Sequence, residues 1–210
     1  MSDTREQEDS GKVIAELEEK CADFPESVVA HHQLGMVYRK VGRIDDAIRE
    51  LKRALEIDPL AVENHINLGA IYFDRGELDL AQQANEAALK IDRTTAQAHA
   101  NLGLIYQQQG DAEKAIASYV EATTLDPDLV TAWINLTSAF IMAGENEKAL
   151  EAARKGVALD ETFPMAQNNL AVALYYVQNY QEAKAHADKA TELGYAVDPR
   201  FIDALSNELG

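Results

Sequence analysis

The chain has 210 residues, enough for one or two domains with a real core, and nearly half of them are apolar. Its 36 acidic against 19 basic residues leave a net charge of −17, so nucleic acid and anionic membrane are not expected partners. The single cysteine, Cys21, excludes an intrachain disulfide and fits a reducing compartment; no apolar run approaches the roughly 20 residues of a membrane span, and a cytoplasmic protein is expected.

In chain order, residues 1–11 are acidic and polar without an apolar period and are expected to be disordered; they lack the basic start and apolar stretch of a secretory leader. Residues 12–22 (KVIAELEEKCA) have the spacing of an amphipathic helix, and Pro25 closes a half-repeat over 12–27. From there a 34-residue step governs the chain. It carries Leu34-Gly35 to Leu68-Gly69 and Leu102-Gly103, Tyr38 to Tyr72 and Tyr106, and Gly42 to Gly76, Gly110 and Gly144. Ala47, Ala81, Ala115, Ala149 and Ala183 follow the same step, which divides the chain into repeats 28–61, 62–95, 96–129, 130–163 and 164–197.

Each repeat reads as two helices. Leu34, Val37, Tyr38 and Val41 mark a buried stripe, Gly42 interrupts it, and Ile44, Ala47, Ile48, Leu51, Ala54 and Leu55 define a second amphipathic helix. Asp58-Pro59 stops that helix, because proline disfavours helix at the residue before it. Gly35 and Ala47 are small enough to let the paired helices approach, while Tyr38 and Leu51 fill the space beside them. After the fifth repeat, 198–210 take the place of a sixth first helix, with Phe201, Ile202 and Leu205 turned inward as a cap.

Leu102, Gly103, Tyr106, Gly110, Ala115, Tyr119, Ala122 and Pro127 in one repeat resemble the pattern of the tetratricopeptide repeat family, a resemblance covering about 12–197. It implies an all-α, right-handed superhelical solenoid of antiparallel helix pairs, one array over 12–210. The chain departs from the pattern at its first aromatic position, which holds His31, His65, His99, Trp133 and Gln167. Late in the chain Thr137 and Ala171 replace the contact glycine, Phe140 and Leu174 replace tyrosine, and Arg93, Glu161 and Tyr195 replace the closing proline.

In the family the first helices line a concave face. There Gln33, Asn67, Asn101, Asn135 and Asn169 recur at the 34-residue step, similar to the asparagine ladder in the repeat region of O-GlcNAc transferases. An amide carries both donors and acceptors, so such a row can hold an extended backbone; the other reading is that it ties neighbouring repeats together. Phe73, Leu104, Ile141, Met142, Tyr175 and Tyr176 give the same face an apolar lining. The cationic clamp by which some members grip a chaperone's C-terminal carboxylate is missing, since Arg39 and Lys40 are the only basic residues near the groove positions.

No metal site, cofactor or catalytic constellation is expected. His31, His65 and His99 sit at equivalent places in successive repeats, and helices packed about 8–10 Å apart do not bring three imidazoles to within roughly 2 Å of one ion. No phosphate loop, GxSxG elbow or HExxH helix occurs. The expected function is an adaptor that binds an extended peptide segment of a partner protein in its groove. The alternatives are a self-associating scaffold and a regulatory subunit of an enzyme complex.

Overall fold

The computed structural model describes residues 2–210, with side chains from Ser10 onward. Twelve helices account for its regular structure: α1 (Ser2–Asp23), α2 (Val28–Lys40), α3 (Ile44–Ile57), α4 (Val62–Asp74), α5 (Leu78–Ile91), α6 (Ala96–Gln108), α7 (Ala112–Leu125), α8 (Val130–Ala143), α9 (Asn146–Leu159), α10 (Pro164–Tyr176), α11 (Tyr180–Glu192) and α12 (Pro199–Leu209). The fold is all-α, built of antiparallel helix pairs. By packing the chain divides into two compact units, 1–101 and 102–210, with the boundary inside α6, where the sequence suggests one continuous array. In the first unit α2 pairs with α3 and α4 with α5, α3 leans on α4, and α1 lies against α2. In the second, α8 pairs with α9 and α10 with α11, while α7, α10 and α12 pack on their neighbours α8, α9 and α11.

Glycine makes the turn inside each pair. Gly42, Gly76, Gly110 and Gly144 lie at φ +79°, +74°, +82° and +74°, a left-handed backbone that ends the first helix and returns the chain. The following amide closes the cap, as when Arg43 N–H donates to the Tyr38 carbonyl at 2.9 Å. In the fifth repeat the same turn is made by Gln178 at φ +63°, the one such non-glycine among the described residues.

Between pairs, aspartate rather than proline makes the stop. Asp58, Asp92, Asp126 and Asp160 are the C-cap residues of α3, α5, α7 and α9, all extended. Each carboxylate accepts the amide of the residue two positions on, Leu60, Thr94, Asp128 and Thr162, at 2.9–3.1 Å. Arg93 and Glu161 therefore stand in for proline without moving the helix end.

The small contact residue and its partner 16 positions later are matched in volume. A Cβ on Gly35 would lie 2.9 Å from Leu51 Cγ, and one on Gly103 would lie 2.5 Å from Tyr119 Cε1, so both glycines are sterically required. Where Thr137 and Ala171 replace glycine, the partner position shrinks to Ala153 and Ala187, and all four are buried. The late departures from the repeat pattern are thus compensated in pairs.

Both chain ends are covered. Leu205 of α12 is buried, and Phe201 and Ile202 pack on the core of the second unit. At the other end Tyr38 donates to Glu18 of α1 at 2.5 Å, with the Arg43 guanidinium 4.2 Å above its ring. Burial and the Glu18 bond push the Tyr38 phenol up to about 12. Helix α1 begins at Ser2, in a proline-free run.

Candidate partner-binding surface

The first aromatic position shows what the repeat requires of a side chain. His31, His65, His99, Trp133 and Gln167 each place a nitrogen on the backbone carbonyl six residues earlier, at 3.2, 3.0, 3.1, 2.8 and 2.7 Å. Imidazole, indole and amide share one property, a planar N–H at the right reach, and that donor satisfies a carbonyl in the inter-repeat turn. His65 and His99 accordingly carry their ring proton on Nε2. The sequence already held this signal: five N–H bearing side chains on one 34-residue step.

The amide row splits into three kinds of residue. Asn169 is buried in α10 and donates through Nδ2 to the Ile134 carbonyl at 3.1 Å and to Ser138 Oγ at 3.0 Å, so it ties α10 to α8. Asn101 donates to Asn85 Oδ1 at 3.0 Å and accepts from Gln97 at 2.9 Å, and Asn85, fully buried, donates to the Ala81 carbonyl at 2.8 Å. These two amides are spent on packing. Asn67 and Asn135 are half-buried, Gln33 is exposed, and among the described residues none of the three has a side-chain hydrogen bond.

In the first unit Gln33 borders two clefts. One, of about 580 Å³, lies between α1 and α2 and is walled by Val13, Leu17, Met36 and Val37, with Glu16 and Lys20 on its α1 side. The other, of about 360 Å³, lies between the N-terminal turns of α2 and α4, with Val28, Val29 and Val62. His32 and Gln33 line both. His32 is fixed by a 2.6 Å bond from Nδ1 to Oδ1 of the buried Asn64. Val13 and Val29 are exposed, so apolar surface flanks the free amide of Gln33.

In the second unit the apolar residues sort by burial. Leu104 and Ile141 pack against the core and Tyr175 joins a ring cluster, edge-on to Tyr176 at 5.8 Å and Phe201 at 5.6 Å and tilted on Tyr180 at 5.4 Å. Tyr176 is half exposed, and Met142 is 69 % exposed with only the Gln107 amide 3.7 Å from its sulfur. Phe73, on α4 of the first unit, is half-buried. Near the groove positions Arg39 is paired with Asp74 at 3.0 Å, while among the described residues neither Lys40 nor Lys20 of the first cleft has an ion pair.

Family models of the tetratricopeptide repeat match residues 35–74, 69–110, 96–129 and 165–193, together more than half of the chain. The chain is a tetratricopeptide repeat protein. Arrays of this family generally mediate protein–protein interactions on a fold that is typically non-catalytic. No curated protein matches the chain significantly. Among solved structures it is similar to PilF of Pseudomonas aeruginosa, at 26% identity over 87% of this chain and 84% of that one, with a TM-score of 0.78. It is also similar to MamA, at 29% identity over 76% of this chain and 94% of that one, with a TM-score of 0.65. YrrB, a tetratricopeptide repeat protein with an unusual peptide-binding site, shares the fold at 18% identity over 91% and 97% of the two chains, with a TM-score of 0.68. No helix among the described residues is long and apolar enough to cross a membrane.

Proposed function

We propose that this tetratricopeptide repeat protein is an adaptor that holds an extended segment of a partner protein on the faces of its first helices. The observation that carries this reading is Gln33, an exposed amide bordering two apolar clefts. Within the same unit Asn67 offers the same unspent donors and acceptors one repeat on, and in the second unit Asn135 offers them on its own surface. A partner backbone supplies matching N–H and C=O groups, and its side chains fill the spaces beside Val13, Met36 and Val29. Asn101 and Asn169 take no part in contact; they hold the repeats that present the others.

The test uses peptides selected from a random library on the unaltered protein. Gln33→Ala and Asn67→Ala each weaken binding about two- to tenfold, the worth of a hydrogen bond of about 0.5–1.5 kcal/mol, with no loss of thermal stability. Asn169→Ala lowers the melting temperature, because it removes both hydrogen bonds from α10 to α8 and leaves a void where a buried amide stood. Unchanged peptide affinity in both Gln33→Ala and Asn67→Ala contradicts the reading. Mass growing with concentration in light scattering favours the self-associating scaffold instead.

A further inference from the structure

One side-chain cluster in the first unit lies apart from the partner-binding surface and gives the repeat position His31 a second set of neighbours. Cys21 in the last turn of α1, His31 in the first turn of α2 and Glu50 in the middle of α3 each bring one ligand atom to within 4.8 Å of the other two. His31 is buried and the Glu50 and Cys21 side chains are largely enclosed. Thiolate, imidazole and carboxylate together are a zinc donor set.

Two of the three ligands are already oriented from behind. His31 turns Nδ1 to Glu50 Oε2 at 2.8 Å and Nε2 to the Pro25 carbonyl at 3.2 Å. The Nε2–H donated to Pro25 is the backbone-oriented arrangement that metal-binding histidines use, and the proton in the bond from Nδ1 to Glu50 leaves when Nδ1 takes up a metal. Glu50 Oε1 accepts from Arg49 Nε at 3.0 Å, which leaves Oε2 facing inward. The bond lengths of a tetrahedral zinc ion set ligand atoms about 3.3–3.8 Å apart. The His31–Glu50 pair therefore parts by about 0.5 Å and the widest pair closes by about 1 Å, within the reach of side-chain rotation.

We propose that Cys21, His31 and Glu50 form a mononuclear zinc site with water as the fourth ligand, a clasp that fastens α1 to the first repeat. On binding, the Cys21 thiol gives its proton to water and sulfur coordinates as thiolate; the proton held between His31 Nδ1 and Glu50 Oε2 also passes to water, so that His31 binds as neutral imidazole and Glu50 as carboxylate. Because binding releases protons, affinity rises with pH. His31 was legible in the sequence as a substitute aromatic; Glu50, on the next helix but one from Cys21, was not.

The metal-free protein is titrated with Co²⁺ and, separately, with Zn²⁺. One equivalent of Co²⁺ gives a thiolate-to-cobalt charge-transfer band that one equivalent of Zn²⁺ abolishes. Cys21→Ser removes the band, and Glu50→Gln lowers zinc affinity more than the 10- to 100-fold typical of an outer-shell change. Zinc also slows alkylation of Cys21 by iodoacetamide in the unaltered chain, a reading that depends on no variant's folding. Absence of the charge-transfer band, or equal alkylation with and without zinc, overturns the proposal.

Discussion

His65 shows how much a single side chain is asked to do. Its Nε2–H reaches the Pro59 carbonyl at 3.0 Å, the same bond that Trp133 and Gln167 make in their repeats. His65→Phe keeps an aromatic ring and loses the donor, so chemical denaturation is expected to show a loss of about 1 kcal/mol. His65→Gln, with the amide that works at position 167, is expected to retain most of it. His186 offers a second test, of pH. Its Nδ1 donates to Gln167 Oε1 at 2.7 Å, and burial lowers its pKa below the ordinary 6.5 against an opposing pull from Glu182. The unfolded chain then binds more protons than the folded one at mildly acidic pH, so stability falls as pH drops below about 6.5. The difference in melting temperature between the unaltered chain and His186→Gln is expected to change across that window, in the direction of relative loss for the unaltered chain. A difference independent of pH would show that His186 is not held neutral.

At the scale of elements, the turns and volume pairs account for why the repeat survives its own departures. Gln178 occupies a left-handed position held by glycine in the four preceding repeats. Gln178→Gly relieves backbone strain of about 1–2 kcal/mol, less the entropy glycine adds to the unfolded chain, so a net gain of about 1 kcal/mol in thermal or chemical unfolding is expected. Gly103→Ala acts the other way: its new Cβ would sit 2.5 Å from the Tyr119 ring, and a loss of about 1–3 kcal/mol is expected. Adding Tyr119→Ala to Gly103→Ala recreates the small–small pairing of the fifth repeat and should recover part of that loss. Much of this level was legible. A 34-residue step in glycine and alanine records obligatory turns and close approaches, which depend on backbone geometry more than on neighbours. What escaped was conditional on a partner: the match of Thr137 and Ala171 to Ala153 and Ala187, the role of aspartate in place of proline, and the split of the amide row. Asn67 and Asn169 look identical in sequence, yet Asn169 meets Ser138 and the Ile134 carbonyl while Asn67 has no side-chain hydrogen bond among the described residues.

For the molecule as a whole, 36 acidic residues against 19 basic ones set the approach of any partner. A segment carrying lysine or arginine beside its apolar residues is steered in faster, and its association rate is expected to fall as salt rises, with a smaller change in the dissociation rate. The most direct measurement of the proposed function is the set of side-chain amide resonances of asparagine and glutamine in a ¹⁵N-labelled chain, followed as a selected peptide is added. The amides of Gln33, Asn67 and Asn135 are expected to shift, while those of Asn85 and Asn169, already bonded within the chain, stay in place. Shifts confined to second-helix amides such as Gln83 and Asn146, with Gln33 and Asn67 unmoved, would place the partner elsewhere and contradict the account.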